Sequence, residues 1–328
     1  MPTAERPAPA ACLPVYAKLS FAWPVLLMPA STTITFAKNF ARSRASPSVA
    51  KPCAVSCARP VWALPKSAVL LLIVSAACGS AQLGELVQLD GSPHDWLQER
   101  GPRLTALGMQ DDATGKILAA QFFPSETALG YLCLLRQLLR RHGVPLAFYG
   151  DHSGIFVRND DFWSVEEQLA GKRQPTQFGR ALDQLGITFI AARSPQAKGR
   201  VERLWGVLQD RLCSELRLAQ AGDLDSANTV LRSFLADYNR RFPRRPREIL
   251  TAWRPAPENL DRICCFVHQR VVSNDNIVQW EGQRFQIPQQ GQRFSFAGAK
   301  VQIYQALDGR VSLYSGDTRL QHTLASPG

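Results

Sequence analysis

Three scarcities bound this chain before any motif is considered. No C-x-x-C pair occurs among its eight cysteines, Cys12, Cys53, Cys57, Cys78, Cys133, Cys213, Cys264 and Cys265. Cys53 and Cys57 form C-x-x-x-C, but no second pair of Cys or His ligands follows at zinc-finger spacing. The cysteines therefore read as thiols of a reducing compartment, with a structural zinc as the minor alternative. Long apolar runs are also missing. The strongest, "SAVLLLIVSAAC" at 67–78, falls short of the about 20 residues that span a bilayer. It has the length of a signal-peptide core but begins too deep in the chain to act as one, so no membrane partner is expected. The third scarcity is of acid. Residues 1–80 hold one acidic residue, Glu5, against eight Lys or Arg, and ten Pro against one Gly. That segment keeps neither helical nor strand periodicity for more than a few residues. Residues 1–83 are expected to be an atypical, weakly ordered leader, wrongly started or frame-shifted relative to the rest of the chain.

What is present points to a polyanionic partner. The 328 residues carry a net charge of +11 and a pI near 9.5, the balance of many nucleic-acid-binding proteins. Regular patterning begins at residue 84. "GELVQLDGS" predicts a strand ending in Asp90, and "RLTALGMQDDATGKILAAQFFP" predicts a hairpin turning at "DDATGK". A helix is predicted over 125–142 with Ser125 as N-cap and Gly143 as its stop. "VPLAFYGD" reads as a buried strand ending in Asp151. Residues 157–175 read as an exposed insertion whose acids, Asp160, Asp161, Glu166 and Glu167, are solvated. A short helix (176–186), a strand ("GITFIAA"), a helix from "SPQAKGRVERLWGVLQDRL" and another at 223–241 come next; Ser194 is the expected N-cap and Pro195 a first-turn residue. The order predicts an α/β core, a mixed sheet flanked by helices, over 84–255. Alternating runs at 263–322 predict a small C-terminal antiparallel β-barrel.

Three carboxylates stand out against this frame. Asp90 and Asp151 each end an apolar run, and side chains at the ends of adjacent parallel strands converge on one edge, where ligands usually bind. In the helix, Val201, Leu204, Trp205, Leu208, Leu212 and Leu216 form an apolar stripe, and Glu202, about 100° round from Val201, borders it. Three such carboxylates would repel one another unless a hard divalent cation joined them, and Mg²⁺ accepts oxygen ligands of this kind. Taken singly, each residue has an ordinary alternative: the aspartates as turn or cap residues, and Glu202 as the i,i+4 partner of Lys198.

The blocks "QLDGSPHDWL", "DDATGK", "YGDHSGIF", "TQFGRALDQLGI" and "SPQAKGRVERLWGVLQDRL" resemble the integrase core of bacterial insertion-sequence transposases of the ISNCY type, DDE enzymes of the retroviral integrase superfamily. The resemblance runs from about residue 84 to 255, and the segment beyond it resembles that family's C-terminal domain. It implies an RNase H-like fold and a catalytic, metal-binding triad that maps onto Asp90, Asp151 and Glu202. Two Mg²⁺ (or Mn²⁺) ions are implied, Asp90 bridging both by analogy. The implied activity is strand cleavage and transfer at insertion-element ends, by a homo-oligomer on double-stranded DNA in the bacterial cytoplasm, at the nucleoid. The chain departs from the pattern in two places: 50 residues separate Asp151 from Glu202, longer than the usual spacing, and residues 1–80 lack the usual helix-turn-helix. An inactive DNA-binding remnant and an RNase H-like nuclease acting on RNA or hybrids are the competing functions.

Other residues have weaker claims. His94 and His152 lie near the aspartates in sequence and are candidates for supporting positions around the ligands. Lys198, Arg200 and Arg203 could hold DNA phosphates or form a solvated helix face. The run "NRRFPRRPR", with Arg240, Arg241, Arg244, Arg245 and Arg247, is the denser candidate for DNA contact. Trp205 and Phe178 read as core, and Asp111 and Asp112 as hairpin-turn residues.

Overall fold

The computed structural model divides the chain into two units, Met1–Arg59 and Pro60–Gly328. The described residues, 79–192, 199–291 and 293–325, all lie in the second unit, and the side chains of 166 and 200–203 are not among those described. The expected leader therefore lies outside the described residues except for 79–83. So do Cys53, Cys57, Ser194 and Pro195.

Five strands build the main sheet: β1 (Leu86–His94), β2 (Leu104–Asp111), β3 (Ile117–Phe123), β4 (Ala147–Gly150) and β5 (Thr188–Ala191). Their order is β3-β2-β1-β4-β5, with β1–β3 antiparallel and β4 and β5 parallel to β1. This mixed sheet, with helices on both faces, fits the RNase H-like expectation. One face packs on α1 (Ala128–His142) and α3 (Gln177–Leu185), the other on α4 (Gly199–Leu218) and α5 (Leu224–Arg241). Strand alternation decides which side chain goes where. Val87 and Leu89 join the α1/α3 core, whereas Asp90 and Ser92 face α4. An aromatic cluster fills the first core: Tyr131 meets Phe156 edge-on at 4.7 Å, and Phe156 meets Phe178 at 5.3 Å. Each such fully buried ring contributes on the order of 2 kcal/mol or more of transfer free energy.

Several expectations need correction. β1 does not end at Asp90 but runs on to His94, because its antiparallel partner continues to Leu104 after the parallel pairing with β4 stops at Gln88↔Tyr149. Helix α1 is capped by Thr127, not Ser125: the Thr127 hydroxyl accepts from the Gly130 amide at 3.2 Å. Residues 157–175 are not loop alone but contain α2 (Val165–Ala170), started by a Ser164–Glu167 capping box. Glu167 is correspondingly not a solvated charge. It is 3% exposed, accepts from the Gln174 amide at 2.7 Å and pairs with Arg158.

Beyond α6 (Leu260–Ile263) the strands form two small antiparallel sheets. One is β11-β10-β9-β6 (Thr318–Leu320, Val311–Ser315, Lys300–Gln305, Phe266–Val271), the other β12-β8-β7 (Thr323–Leu324, Gln283–Gln286, Ile277–Trp280). They share one apolar core, and among the described residues they do not close into the expected barrel. This part is fastened to α3. Gln177 brackets Val267, donating to its carbonyl at 2.8 Å and accepting from its amide at 2.9 Å. Arg180 donates to the carbonyls of Ile263 (3.1 Å) and Cys265 (2.5 Å).

Candidate active site

Parallel pairing sets the geometry. Gln88 pairs with Tyr149, so Asp90 and Asp151, each two residues further on, stand level at the edge where β4 stops. Both are half-buried. The amide of Ser153 donates to Asp151 Oδ1 at 3.0 Å, the turn bond expected of an Asp leaving a strand.

Asp90 is held from the helix side. Trp205 Nε1 donates to Asp90 Oδ2 at 3.1 Å, and Gln209 Nε2 donates to Ser92 Oγ at 3.0 Å. Two residues along a strand advance about 6.7 Å and four along a helix about 6 Å, so the spacings match and α4 is locked to β1 in one register. The indole reaches Asp90 because its partner across the sheet, Gly108, has no side chain: a Cβ there would lie 3.0 Å from Trp205 Cη2. Trp205, expected from its spacing to be core, is indeed 6% exposed, but its N–H is spent on the Asp90 carboxylate. The backbone of Glu202 lies in the first turn of α4, three residues before Trp205; its side chain is outside the described residues. Among the described residues, no group of three or more His, Cys, Asp or Glu side chains is arranged to hold a metal ion.

Two residues that the sequence alone does not single out lie against this edge. Glu126 sits over Gly91, where a Cβ would be 2.8 Å from its Cδ and Oε2. The buried Tyr131 hydroxyl donates to Glu126 Oε1 at 2.7 Å. Burial first, then the charge of Glu126, then those of Asp90 and Asp151, push the Tyr131 hydroxyl far above its ordinary range, so it stays a donor. The one signal in the sequence is the "DG" step, Asp90 followed at once by a residue with no side chain.

The other candidates are dispersed. His94 is exposed, four residues (about 13 Å) along β1 from Asp90, and packs edge-on against Trp96. His152 is also exposed, its Nδ1 3.4 Å from Asn159 Oδ1. Arg240 and Arg241 both pair with Asp237, Arg241 at 2.6 Å. Arg244, Arg245 and Arg247 are exposed on the strap after α5. That strap returns to the hairpin turn: the Arg244 amide donates to Thr114 O at 2.8 Å, and the Arg247 guanidinium donates to Gly79 O. Lys198 and the side chains of Arg200 and Arg203 lie outside the described residues. In the C-terminal part, Arg270 lies over the Trp280 ring at 4.9 Å and the His268 ring meets Trp280 at a tilt, centroids 4.1 Å apart, beside a cleft that Arg284 also lines.

No family model matches the chain. Among curated proteins, the one named "Putative transposase y4bF" of Sinorhizobium fredii is 38% identical over 233 residues, 70% of this chain and 50% of that protein. The transposase for insertion sequence IS1202 of Streptococcus pneumoniae is 34% identical over 242 residues, 73% of this chain and 50% of its own length. Over these stretches the chain is similar to two transposases, one of them that of an insertion sequence. It spans half the length of each of these relatives. Solved structures with some likeness include the HTLV-2 integrase catalytic core domain in complex with magnesium: 18% identity, 46% of this chain, 85% of that one, TM-score 0.34. Another is the simian T-cell lymphotropic virus intasome in complex with the PP2A regulatory subunit B56 gamma: 16% identity, 76% of this chain, 81% of that one, TM-score 0.36.

Proposed function

We propose that this chain is the catalytic portion of a DDE-type DNA transposase that cuts and joins strands at insertion-element ends. The observation that carries the reading is the level placement of Asp90 on β1 and Asp151 just past the end of the parallel strand β4, beside a helix whose fourth residue is Glu202. Transposases as relatives support it.

The donors suit a hard divalent cation. Two half-buried carboxylates at one strand edge supply oxygen ligands, and Glu202 is proposed as the third. Mg²⁺ or Mn²⁺ bound there would supply Lewis acidity to the attacking and leaving oxygens of an in-line phosphodiester displacement. The chain's own part is to fix the ligands and the DNA. Trp205 holds one oxygen of Asp90, and the Ser153 amide holds one of Asp151, so neither carboxylate has to reorganise when the substrate arrives. Lys198, Arg200, Arg203, the α5 arginines Arg240 and Arg241 and the strap arginines Arg244, Arg245 and Arg247 are proposed to hold DNA phosphates, and His94 and His152 to shape the loops around the ligands. Residues 84–255 are proposed as the catalytic core and 263–322 as an accessory DNA-contacting part, with the Arg270–Trp280 cleft offering a cation and an aromatic face. A homo-oligomer acting on double-stranded DNA is the expected working form.

The test is Mg²⁺-dependent cleavage and joining of element-end DNA by the full chain and by Asp151→Asn. Joining by the parent and none by the variant is expected. Equal activity in both would sink the assignment. Salt-sensitive DNA binding without cleavage would mark an inactive remnant, and cleavage of RNA hybrids without joining would mark a nuclease.

A further inference from the structure

Gly91 separates two carboxylates that approach β1 from opposite faces: Asp90 from the side of α4 and Glu126 from the side of α1. We infer that Glu126 is a positioning residue of the site, a fourth carboxylate that strengthens divalent-cation binding at the Asp90–Asp151 edge through its charge and not by ligation. The inference rests on the proposed role of those aspartates.

Three features of the structure support it. Glu126 occupies the space a side chain at residue 91 would take, its Cδ and Oε2 2.8 Å from that Cβ position, so its charge lies against the backbone next to Asp90. It is also held: Tyr131, 0% exposed, donates its hydroxyl at 2.7 Å, and a carboxylate so fixed keeps its field in place. Finally, Tyr131 reaches the other aspartate. Its ring meets Phe156 edge-on at 4.7 Å, the Phe156 amide donates to Ser153 O at 3.0 Å, and the Ser153 amide donates to Asp151. One buried tyrosine thus braces Glu126 beside Asp90 and the turn that carries Asp151.

A fixed negative charge across the β1 backbone from a divalent ion held at Asp90, in partly screened surroundings, should alter affinity by roughly fivefold to tenfold. The decisive experiment titrates Mg²⁺ and Mn²⁺ into the full chain, reading the metal-dependent rise in thermal midpoint and the bound-Mn²⁺ resonance signal. The Mg²⁺ dependence of DNA joining is followed in parallel. Glu126→Gln, which keeps an acceptor for Tyr131, is expected to raise the half-saturating metal concentration by about fivefold to tenfold, more than it lowers the maximal rate. Glu126→Asp should recover part of the loss. Gly91→Ala offers a route that removes no charge: it pushes the Glu126 carboxylate aside, so it should weaken metal binding by itself yet add nothing to Glu126→Gln. If Glu126→Gln does not fold, Gly91→Ala carries the same test. A Glu126→Gln metal titration matching the parent's, or a loss of maximal rate with an unchanged titration, overturns the inference while Asp90→Asn still abolishes metal-dependent stabilisation. If Asp90→Asn itself titrates like the parent, the underlying site reading fails instead.

Discussion

Two pairs of aspartates, one where β2 turns into β3 and one where β4 stops beside β1, use their oxygens differently. Asp111 and Asp112, in the β2–β3 turn, are 0% and 7% exposed. Asp111 accepts from the Gly84 amide (2.9 Å), the Thr114 amide (2.8 Å) and the Thr114 hydroxyl (2.6 Å). Asp112 accepts from the Ser80 amide (2.7 Å) and the Gln88 side chain (2.6 Å). These carboxylates staple residues 79–85 to the sheet. Asp90 and Asp151 are instead half-buried at an edge where a parallel strand has stopped. Burial among backbone donors makes a carboxylate a structural clamp; placement at a strand edge leaves it within reach of a ligand.

The comparison yields graded predictions. The largest effect belongs to the edge pair: Asp151→Asn should reduce DNA joining by about a thousandfold or more, the scale of several kcal/mol of transition-state stabilisation. Its urea midpoint should stay close to the parent's. Asp111→Ala should do the reverse, leaving two buried amides unpaired and costing about 3 kcal/mol in denaturant unfolding, with catalysis intact below the unfolding range. A joining defect without a stability loss in Asp111→Ala would erase the distinction.

The pH dependence sharpens it further. Burial, the largest cause, raises the Asp111 pKa in the folded chain above 3.8, against the lowering effect of its Gly84 and Thr114 bonds. The folded state therefore binds the proton more tightly than the unfolded one, and stability falls as pH rises from 3.8 through the raised value. Measured against Asp111→Asn, which does not titrate, the parent should lose relative stability over that interval and level off above it. A difference that grows with pH would contradict the burial argument. The smallest effect is expected from Trp205→Phe, which keeps the ring over Gly108 and removes only the N–H bond to Asp90. About tenfold slower joining corresponds to one hydrogen bond to a charged group, with little change in thermal midpoint.

Much of this was legible in the sequence, for physical reasons that also mark where legibility stopped. Apolar patterning located the five strands of the main sheet and the four helices packed on it, as periodicity where one face is buried and as unbroken apolar runs where, as in β4, both are. It put the α1 cap at Ser125, two residues before the Thr127 hydroxyl that makes the bond, because two hydroxyls flank Glu126 and the spacing does not tell them apart. The C-terminal strands were countable, but alternation records a buried face and not which strand is neighbour to which, so a barrel was expected where two sheets lie. Glu167 looked solvated because the partners that bury it, Arg158 and the Gln174 amide, are seven or more residues away. Asp90 and Asp151 were visible as the ends of apolar runs. Glu126 and Tyr131 were not, because their importance arises only when α1 is laid across β1.

The fastening of α3 to the C-terminal sheets has a practical corollary for fragment studies. Gln177 offers β6 an amide in the manner of a neighbouring strand, and Arg180 places its guanidinium where two carbonyls from 263 and 265 receive it. A shortened protein ending at residue 255 would present a half-buried cation stripped of both acceptors and an apolar helix flank newly wetted. Poor solubility of such a fragment would reflect that exposed seam, and would say nothing about the integrity of the sheet that carries Asp90 and Asp151.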